Sequence, residues 1–120
     1  MADSGLKGVA RILRACVYTS QGLRAAWRHE AAFREELWLT LVLVPLGVYL
    51  GASGVEKALL VASVLLIPLV ELLNSAIEAA VDRQGRERHE LAGRAKDMGS
   101  AAVGLAIALA IAVWTLILLD

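Results

Sequence analysis

Residues 65–82, LLIPLVELLNSAIEAAVD, form an apolar run interrupted by Glu71, Asn74, Glu78 and Asp82. These polar residues follow one another at steps of three, four and four. Because an α-helix turns once every 3.6 residues, such steps place the side chains in one stripe along one helix face. The stretch therefore predicts a helix that is apolar except for a polar stripe, and this stripe is where we expect the chemistry.

The composition indicates the solvent around this helix. Of 120 residues, 58% are hydrophobic, which is more than a soluble domain of this size usually needs. We therefore expect a single small membrane-embedded domain over residues 1–120. The 12 basic and 12 acidic residues cancel, so net charge gives no reason to expect nucleic-acid binding.

The predicted fold class is an all-α membrane protein. Residues 6–28 combine apolar residues at mostly helical spacing with basic ones, which is typical of an amphipathic helix lying in the membrane interface. A helix of about 20 apolar residues crosses the ~30 Å hydrocarbon core of a bilayer. On this basis we predict three transmembrane helices, over about 37–55, 58–81 and 101–119.

Basic residues predict the orientation of these spans. They are concentrated before the first span and between the second and third spans. Cytoplasmic segments carry an excess of Lys and Arg. We therefore expect the N-terminus and the 82–98 loop to be cytoplasmic, and the C-terminus to lie on the other side of the membrane.

Glu71 lies about halfway along the second predicted span. An ionisable side chain at the centre of a membrane helix costs about 2.5–3.5 kcal/mol on insertion scales, so its presence needs an explanation. One interpretation is that Glu71 and Asn74 form hydrogen bonds between helices that fix register or oligomeric state. The other is an active site that opens toward the basic cytoplasmic loop, and the number of polar groups on one face favours it.

The motifs narrow the chemistry of such a site. The sequence has no P-loop, GxGxxG, GxSxG, CxxC or HExxH pattern. Phosphoryl transfer remains suitable, because it depends mainly on positioning and on neutralising charge. Carboxylates that hold Mg²⁺, cations that bind phosphates and one base for an attacking hydroxyl would be sufficient.

Four stretches carry a resemblance to a known family: GLRAAW (22–27), EAAFR (30–34), VELLNSAIEAAVDR (70–83) and HELAGRAKDMGSAAV (89–103). They resemble the prokaryotic integral membrane diacylglycerol kinases over nearly the whole chain, with the spacing between motifs intact. The ExxNSxxExxxD and GRAKDxGSAAV patterns are shared with undecaprenol kinases of the same superfamily. The first two stretches are more similar to the diacylglycerol enzymes.

The resemblance implies a lipid kinase that uses ATP as co-substrate and Mg²⁺ as cofactor. It implies phosphorylation of diacylglycerol to phosphatidic acid at the cytoplasmic face of the bacterial inner membrane, which recycles diacylglycerol for phospholipid synthesis. It also implies a homotrimeric bundle, with active sites between neighbouring subunits and a periplasmic C-terminus. An undecaprenol kinase is the alternative within this chemistry. A proton-relay or structural membrane protein is the alternative of another class.

The resemblance also implies roles for individual residues. Glu71 matches the catalytic base that acts on the primary hydroxyl of the lipid, and Glu30 and Glu78 match the metal ligands. Asp82 matches a structural or orienting residue. The positions that match ATP-binding residues are Arg11, Tyr18, Glu30, Glu78, Glu87, His89, Lys96 and Asp97. The positions that match substrate-binding residues along the lipid and phosphate path are Glu36, Glu71, Asn74, Ser100 and Trp114.

Overall fold

The structure is a computed structural model that describes residues 7–83 and 89–120. Four α-helices make up the described part of the chain, which contains no β-strand. They are α1 (Val9–His29), α2 (Ala31–Leu50), α3 (Gly54–Asp82) and α4 (Glu90–Leu118). The predicted all-α fold class is confirmed.

The helices α1 and α2 meet at one residue. Glu30 has an extended backbone, with φ −119° and ψ 103°. It is both the C-cap residue of α1 and the N-cap residue of α2. Arg34 reaches back from the first turn of α2, and its Nη1 donates to the carbonyl oxygens of Trp27 (2.6 Å) and Arg28 (3.3 Å). The last carbonyls of a helix lack partners within the helix and attract cations. Arg34 therefore fixes the corner at which Glu30 lies.

The connection between α2 and α3 lies at residues 51–53, inside the predicted first span 37–55. The helix α2 ends at Leu50 because Gly51 turns to an extended conformation. Ser53 then caps α3, its Oγ accepting the backbone N–H of Glu56 at 3.2 Å. The predicted span 37–55 thus contains most of α2, the connection and the first two residues of α3.

Two helices of the described residues are long and apolar enough to cross a membrane. They are α3, with a mean hydropathy of 2.1, and α4, with 2.5. The helix α2 does not meet the same criteria because Arg34, Glu35 and Glu36 lie in its first half, which leaves only residues 37–50 uncharged. The membrane character of the second and third predicted spans is supported, whereas the first span stays a prediction.

The helix α4 also begins earlier than predicted. Residues 90–98, which we expected to belong to the 82–98 loop, form its first turns. The side chain of His89 caps this end, because its Nδ1 accepts the backbone N–H of Leu91 at 3.1 Å. The helix α4 therefore begins with a polar segment, residues 90–98, before its apolar part.

The helix α3 lies between α2 and α4 and provides half of the buried residues in the described part of the chain. Leu60 and Val64 are almost fully buried. Farther along α3, Ile67 packs against Ala106 and Ala110, whose small side chains allow α4 to approach closely. Near the start of α3, Trp114 of α4 donates its Nε1–H to the carbonyl oxygen of Leu60 at 3.1 Å. The position of α3 between two neighbours determines which of its faces is enclosed.

Candidate functional site

A polar stripe is enclosed in the second half of α3. Glu71 and Asn74 are each only 6% exposed. The Nδ2 of Asn74 donates to Glu78 Oε1 at 3.0 Å and lies 3.5 Å from Glu71 Oε2. The predicted alignment of these side chains on one helix face is confirmed, and the Asn74 amide lies between the two carboxylates.

Ser75 links this stripe to the corner between α1 and α2. Its Oγ lies 3.2 Å from Glu30 Oε1 and 3.3 Å from Glu71 Oε2. A serine hydroxyl has one proton to donate, so one carboxylate receives it at a time. The sequence analysis assigned no role to Ser75, although its place beside Asn74 in the ExxNS pattern was a usable signal.

Glu36 adds a further carboxylate from α2, just before the uncharged residues 37–50. Burial, and next the negative charge of Glu71, raise the pKa of Glu36 to about 7. The Oε1 atom of Glu36 is buried and has no hydrogen-bond partner among the described residues. We call Glu30, Glu36, Glu71 and Glu78, with Asn74 and Ser75, the carboxylate cluster.

The cluster has a second unpaired acceptor, which is Asn74 Oδ1. Buried polar atoms are nearly always paired in folded proteins. Asn74 Oδ1 is an acceptor and Glu36 Oε1 is an acceptor when the carboxyl group is ionised. Both atoms belong to residues in or beside the polar stripe. The cluster can therefore accept hydrogen bonds from a donor such as a hydroxyl group.

Exposure increases along α3 from the cluster toward the end of the helix. Glu71 is buried, Glu78 is partly buried and Asp82 is exposed. At the exposed end, Lys96 Nζ of α4 lies 2.9 Å from Asp82 Oδ1. The two side chains are 43% and 64% exposed, so this pair contributes little to stability. It does place a cation at the outer end of the polar stripe, and it orients Asp82 toward α4.

The oxygen atoms of the cluster suit magnesium. The structure holds no group of three or more His, Cys, Asp or Glu side chains arranged for a metal within residues 7–83 and 89–120. Magnesium, however, is usually held by one or two carboxylates together with water and phosphate oxygens. Glu30 contacts Ser75, and Glu78 contacts the adjacent Asn74. Glu30, at the corner between α1 and α2, and Glu78 of α3 thus contact adjacent residues of α3.

A cavity of about 590 Å³ lies between α1 and α3, next to the cluster. Leu23 and Ala26 of α1 and Leu72 and Ala76 of α3 are among its apolar lining residues. Its polar lining residues are Thr19, His29, Glu30 and Ser75. The cavity suits an apolar ligand whose polar end lies beside the carboxylates.

No hydrogen bond or ion pair joins the other predicted site residues that the structure describes to the carboxylate cluster. Trp114 contacts Leu60, which at 1.5 Å per residue is about 16 Å from Glu71 along α3. His89 caps α4. Glu87 lies outside the described residues. The remaining predicted positions have exposed side chains on α1 or α4: Arg11, Tyr18, Asp97 and Ser100.

Fold and site together define a small helical protein with membrane-length helices and a carboxylate cluster that opens from a buried end to an exposed end. A sequence model of the prokaryotic diacylglycerol kinase family matches residues 17–118. The chain therefore belongs to the prokaryotic diacylglycerol kinase family, which confirms the resemblance.

Individual relatives agree with this assignment over most of their length. The chain is 52% identical over 111 residues to the diacylglycerol kinase of Escherichia coli, covering 92% of this chain and 91% of the relative. It is 50% identical over 115 residues to that of Pseudomonas aeruginosa, covering 96% and 94%. It is 48% identical over 107 residues to that of Haemophilus influenzae, covering 89% and 91%.

Proposed function

We propose that this chain is an ATP-dependent diacylglycerol kinase that makes phosphatidic acid at the cytoplasmic face of the bacterial inner membrane. Family membership and the names of the relatives support the substrate and the reaction class. The observation that carries the proposal is the contact network of Glu71, Asn74 and Glu78, which runs from a buried to a more exposed position in α3.

In the proposed mechanism Glu71 is the general base. Its carboxylate accepts the proton of the primary hydroxyl of diacylglycerol, and the hydroxyl oxygen attacks the γ-phosphorus of ATP. The new oxygen–phosphorus bond forms as the bond between the γ-phosphorus and the bridging oxygen of ADP breaks. Ser75 and Asn74 hold the base, since both lie within hydrogen-bonding distance of Glu71 Oε2. General bases of this kind contribute about 10²–10⁴-fold to rates.

Charge neutralisation is the second requirement of phosphoryl transfer. We assign Glu30 and Glu78 to a magnesium ion, which when bound would neutralise phosphate charge on ATP. Lys96 lies at the exposed end of the stripe and would contact the nucleotide phosphates. We assign Arg11 and Asp97 to ATP binding as well. Binding of ATP there would replace the contact between Lys96 and Asp82.

The lipid would lie with its acyl part in the cavity between α1 and α3. This cavity is mainly apolar, and Glu30 and Ser75 of the carboxylate cluster are among its lining residues. We assign Glu36 and Asn74 to the substrate path beside Glu71, since the Asn74 amide lies within hydrogen-bonding distance of Glu71 and the charge of Glu71 acts on Glu36. We assign Ser100 and Trp114 to the lipid and phosphate path as further substrate-binding residues.

We further propose three transmembrane helices and a homotrimer. Many large apolar side chains of α4 are exposed, including Leu105, Ile111 and Leu116, and only 11% of its most apolar window is buried within the subunit. Such a surface suits lipid or neighbouring subunits. Native mass spectrometry from detergent would give the trimer mass, and a monomer that retains full activity would contradict this assembly.

The central test offers diacylglycerol and undecaprenol to the purified protein with labelled ATP. We expect phosphatidic acid as the main product. Preference for undecaprenol would show that the protein is a lipid kinase with undecaprenol, and not diacylglycerol, as its substrate. Absence of transfer to either lipid would favour the proton-relay or structural alternative, in which Glu71 and Asn74 serve proton transfer or helix register.

A further inference from the structure

The amide of Asn74 has a defined orientation because of its neighbours. Its Nδ2 faces the carboxylates of Glu71 and Glu78, which are acceptors when ionised. The opposite orientation would place Oδ1 against these carboxylates, with no hydrogen to share. Oδ1 must therefore point away from them, toward α4, where it is buried without a hydrogen-bond partner among the described residues.

Gly99 of α4 provides the space for this oxygen. A Cβ atom built on Gly99 would overlap Asn74 Oδ1 and lie 3.2 Å from Asn74 Cγ. The next nearest atom is Asn74 Cα at 3.8 Å, which is an ordinary contact distance. Gly99 is itself buried. The Asn74 amide, and not the backbone of α3, is thus the group that a side chain at position 99 would displace.

The two atoms of the amide cannot move separately. A planar amide that rotates to take Oδ1 away from position 99 also moves Nδ2 away from Glu78 Oε1 and Glu71 Oε2. Contact across the α3–α4 interface therefore determines where Asn74 holds the two carboxylates. An error of about 1 Å in such a group can cost up to a hundredfold in rate.

We propose that Gly99 is a positioning residue of the kinase site, which through the Asn74 amide sets the geometry of the base Glu71 and the metal carboxylate Glu78. The inference rests on the proposed function for the meaning of these two carboxylates. The placement of Asn74 itself rests on contacts within the described residues.

The first experiment compares Gly99→Ala with Gly104→Ala in detergent-solubilised protein. Gly104 lies on the same helix, and a Cβ there meets nothing within 4 Å. We expect Gly99→Ala to lower kcat by about tenfold to a hundredfold and Gly104→Ala to leave it unchanged. Wild-type kinetics in Gly99→Ala would overturn the proposal.

The decisive experiment is a double-mutant cycle with Asn74→Ala. If Gly99 acts through the amide, Gly99→Ala costs nothing further once the amide is absent, so the double variant matches Asn74→Ala. If position 99 matters only for helix packing, the two losses multiply, and the proposal fails. Should Gly99→Ala alone not assemble, an assembled double variant shows that the amide was the obstacle, and a double variant that also fails to assemble overturns the proposal.

A binding measurement separates this inference from the proposed function. Mn²⁺ titrated in place of Mg²⁺ and followed by electron paramagnetic resonance reports on Glu78 without turnover. We expect weaker Mn²⁺ binding in Gly99→Ala and in Asn74→Ala, and wild-type binding in Gly104→Ala. Wild-type protein that binds Mn²⁺ but phosphorylates no lipid would contradict the proposed function only. Unchanged Mn²⁺ binding in Gly99→Ala would contradict the positioning role only.

Discussion

Glu71 combines two properties at the scale of one residue: it is 6% exposed, and it lies within hydrogen-bonding distance of two side chains of its own helix. Burial of a carboxyl group is costly, so a carboxyl group enclosed in this way is a typical feature of functional sites. The contacts with Asn74 and Ser75 fix its orientation toward the cluster.

We predict that Glu71→Gln lowers kinase activity by about 10²–10⁴-fold, because the amide cannot accept the hydroxyl proton. Glutamine has nearly the same shape, so the helical content measured by circular dichroism should be unchanged. Glu56→Gln is the matched control, since Glu56 caps the opposite end of α3 by accepting the backbone N–H of Ala52 at 2.9 Å. Full activity in Glu71→Gln would remove the base from the mechanism.

The raised pKa of Glu36 predicts that the stability of the fold depends on pH. Its folded-state pKa is about 7, above the usual 4.5, because of burial and the nearby charge of Glu71. The folded state therefore keeps a proton that the unfolded state has lost between these pH values. By linkage, this group stabilises the fold below about pH 4.5 and loses that contribution as the pH rises to about 7.

We expect Glu36→Gln to flatten the fall in thermal unfolding temperature between pH 5 and pH 8, since glutamine has no proton to lose. Thermal scans of both proteins in one detergent would measure it. Glu35→Gln, which changes the exposed neighbouring residue, should keep the wild-type slope. An unchanged slope in Glu36→Gln would assign the pH dependence to other groups.

At the scale of elements, the corner between α1 and α2 joins α1 to the carboxylate cluster. Arg34 holds the corner by its contacts with the carbonyls of Trp27 and Arg28, and the rings of Trp27 and Trp38 meet edge to face at 6.3 Å. Glu30, between these contacts, reaches Ser75 on α3.

Arg34→Ala should raise the Mg²⁺ concentration needed for half-maximal activity by about fivefold, because the loss of an exposed hydrogen bond worth roughly 1 kcal/mol would loosen the position of Glu30. The value of kcat at saturating Mg²⁺ should change less. Arg34→Lys keeps the charge and should recover part of the effect. Magnesium titrations of the three proteins measure this, and a change in kcat alone would contradict a role through Glu30.

Sequence periodicity was sufficient to predict the polar stripe, because residues 71, 74 and 78 share a face in any regular helix. Contacts between elements were not predictable in the same way. The contact of Ser75 with Glu30 depends on the extended backbone at the corner, and that of Asn74 with position 99 depends on the register of α3 and α4. The spacing of residues within one segment therefore predicts neither of these two contacts.

The ends of the helices were also only partly predictable from the sequence. The end of α2 was missed because residues 37–55 are uniformly uncharged, so no charged residue marks the break at Gly51. The S-x-x-E pattern of Ser53 and Glu56 was a usable signal for the start of α3. The resemblance supplied the roles of the carboxylates, which neither periodicity nor charge could assign.

At the scale of the whole molecule, the single cysteine offers a test of topology. Cys16 is exposed on α1, which we expect on the cytoplasmic side. A membrane-impermeant thiol reagent should label it in inverted vesicles and leave it unlabelled in right-side-out vesicles. The double variant Cys16→Ser, Asp120→Cys should show the reverse pattern. Equal labelling of both proteins from one side would contradict an odd number of spans.

The corner at Glu30 has a mechanical consequence for the molecule. Glu30 forms the bend between α1 and α2 and also belongs to the carboxylate cluster. A change in the tilt of α1 therefore moves Glu30 Oε1 relative to Ser75. In the proposed topology α1 rests on the bilayer surface, where the binding of amphipathic helices depends on lipid composition and curvature. The position of one carboxylate of the cluster would then depend on the contact of α1 with the bilayer.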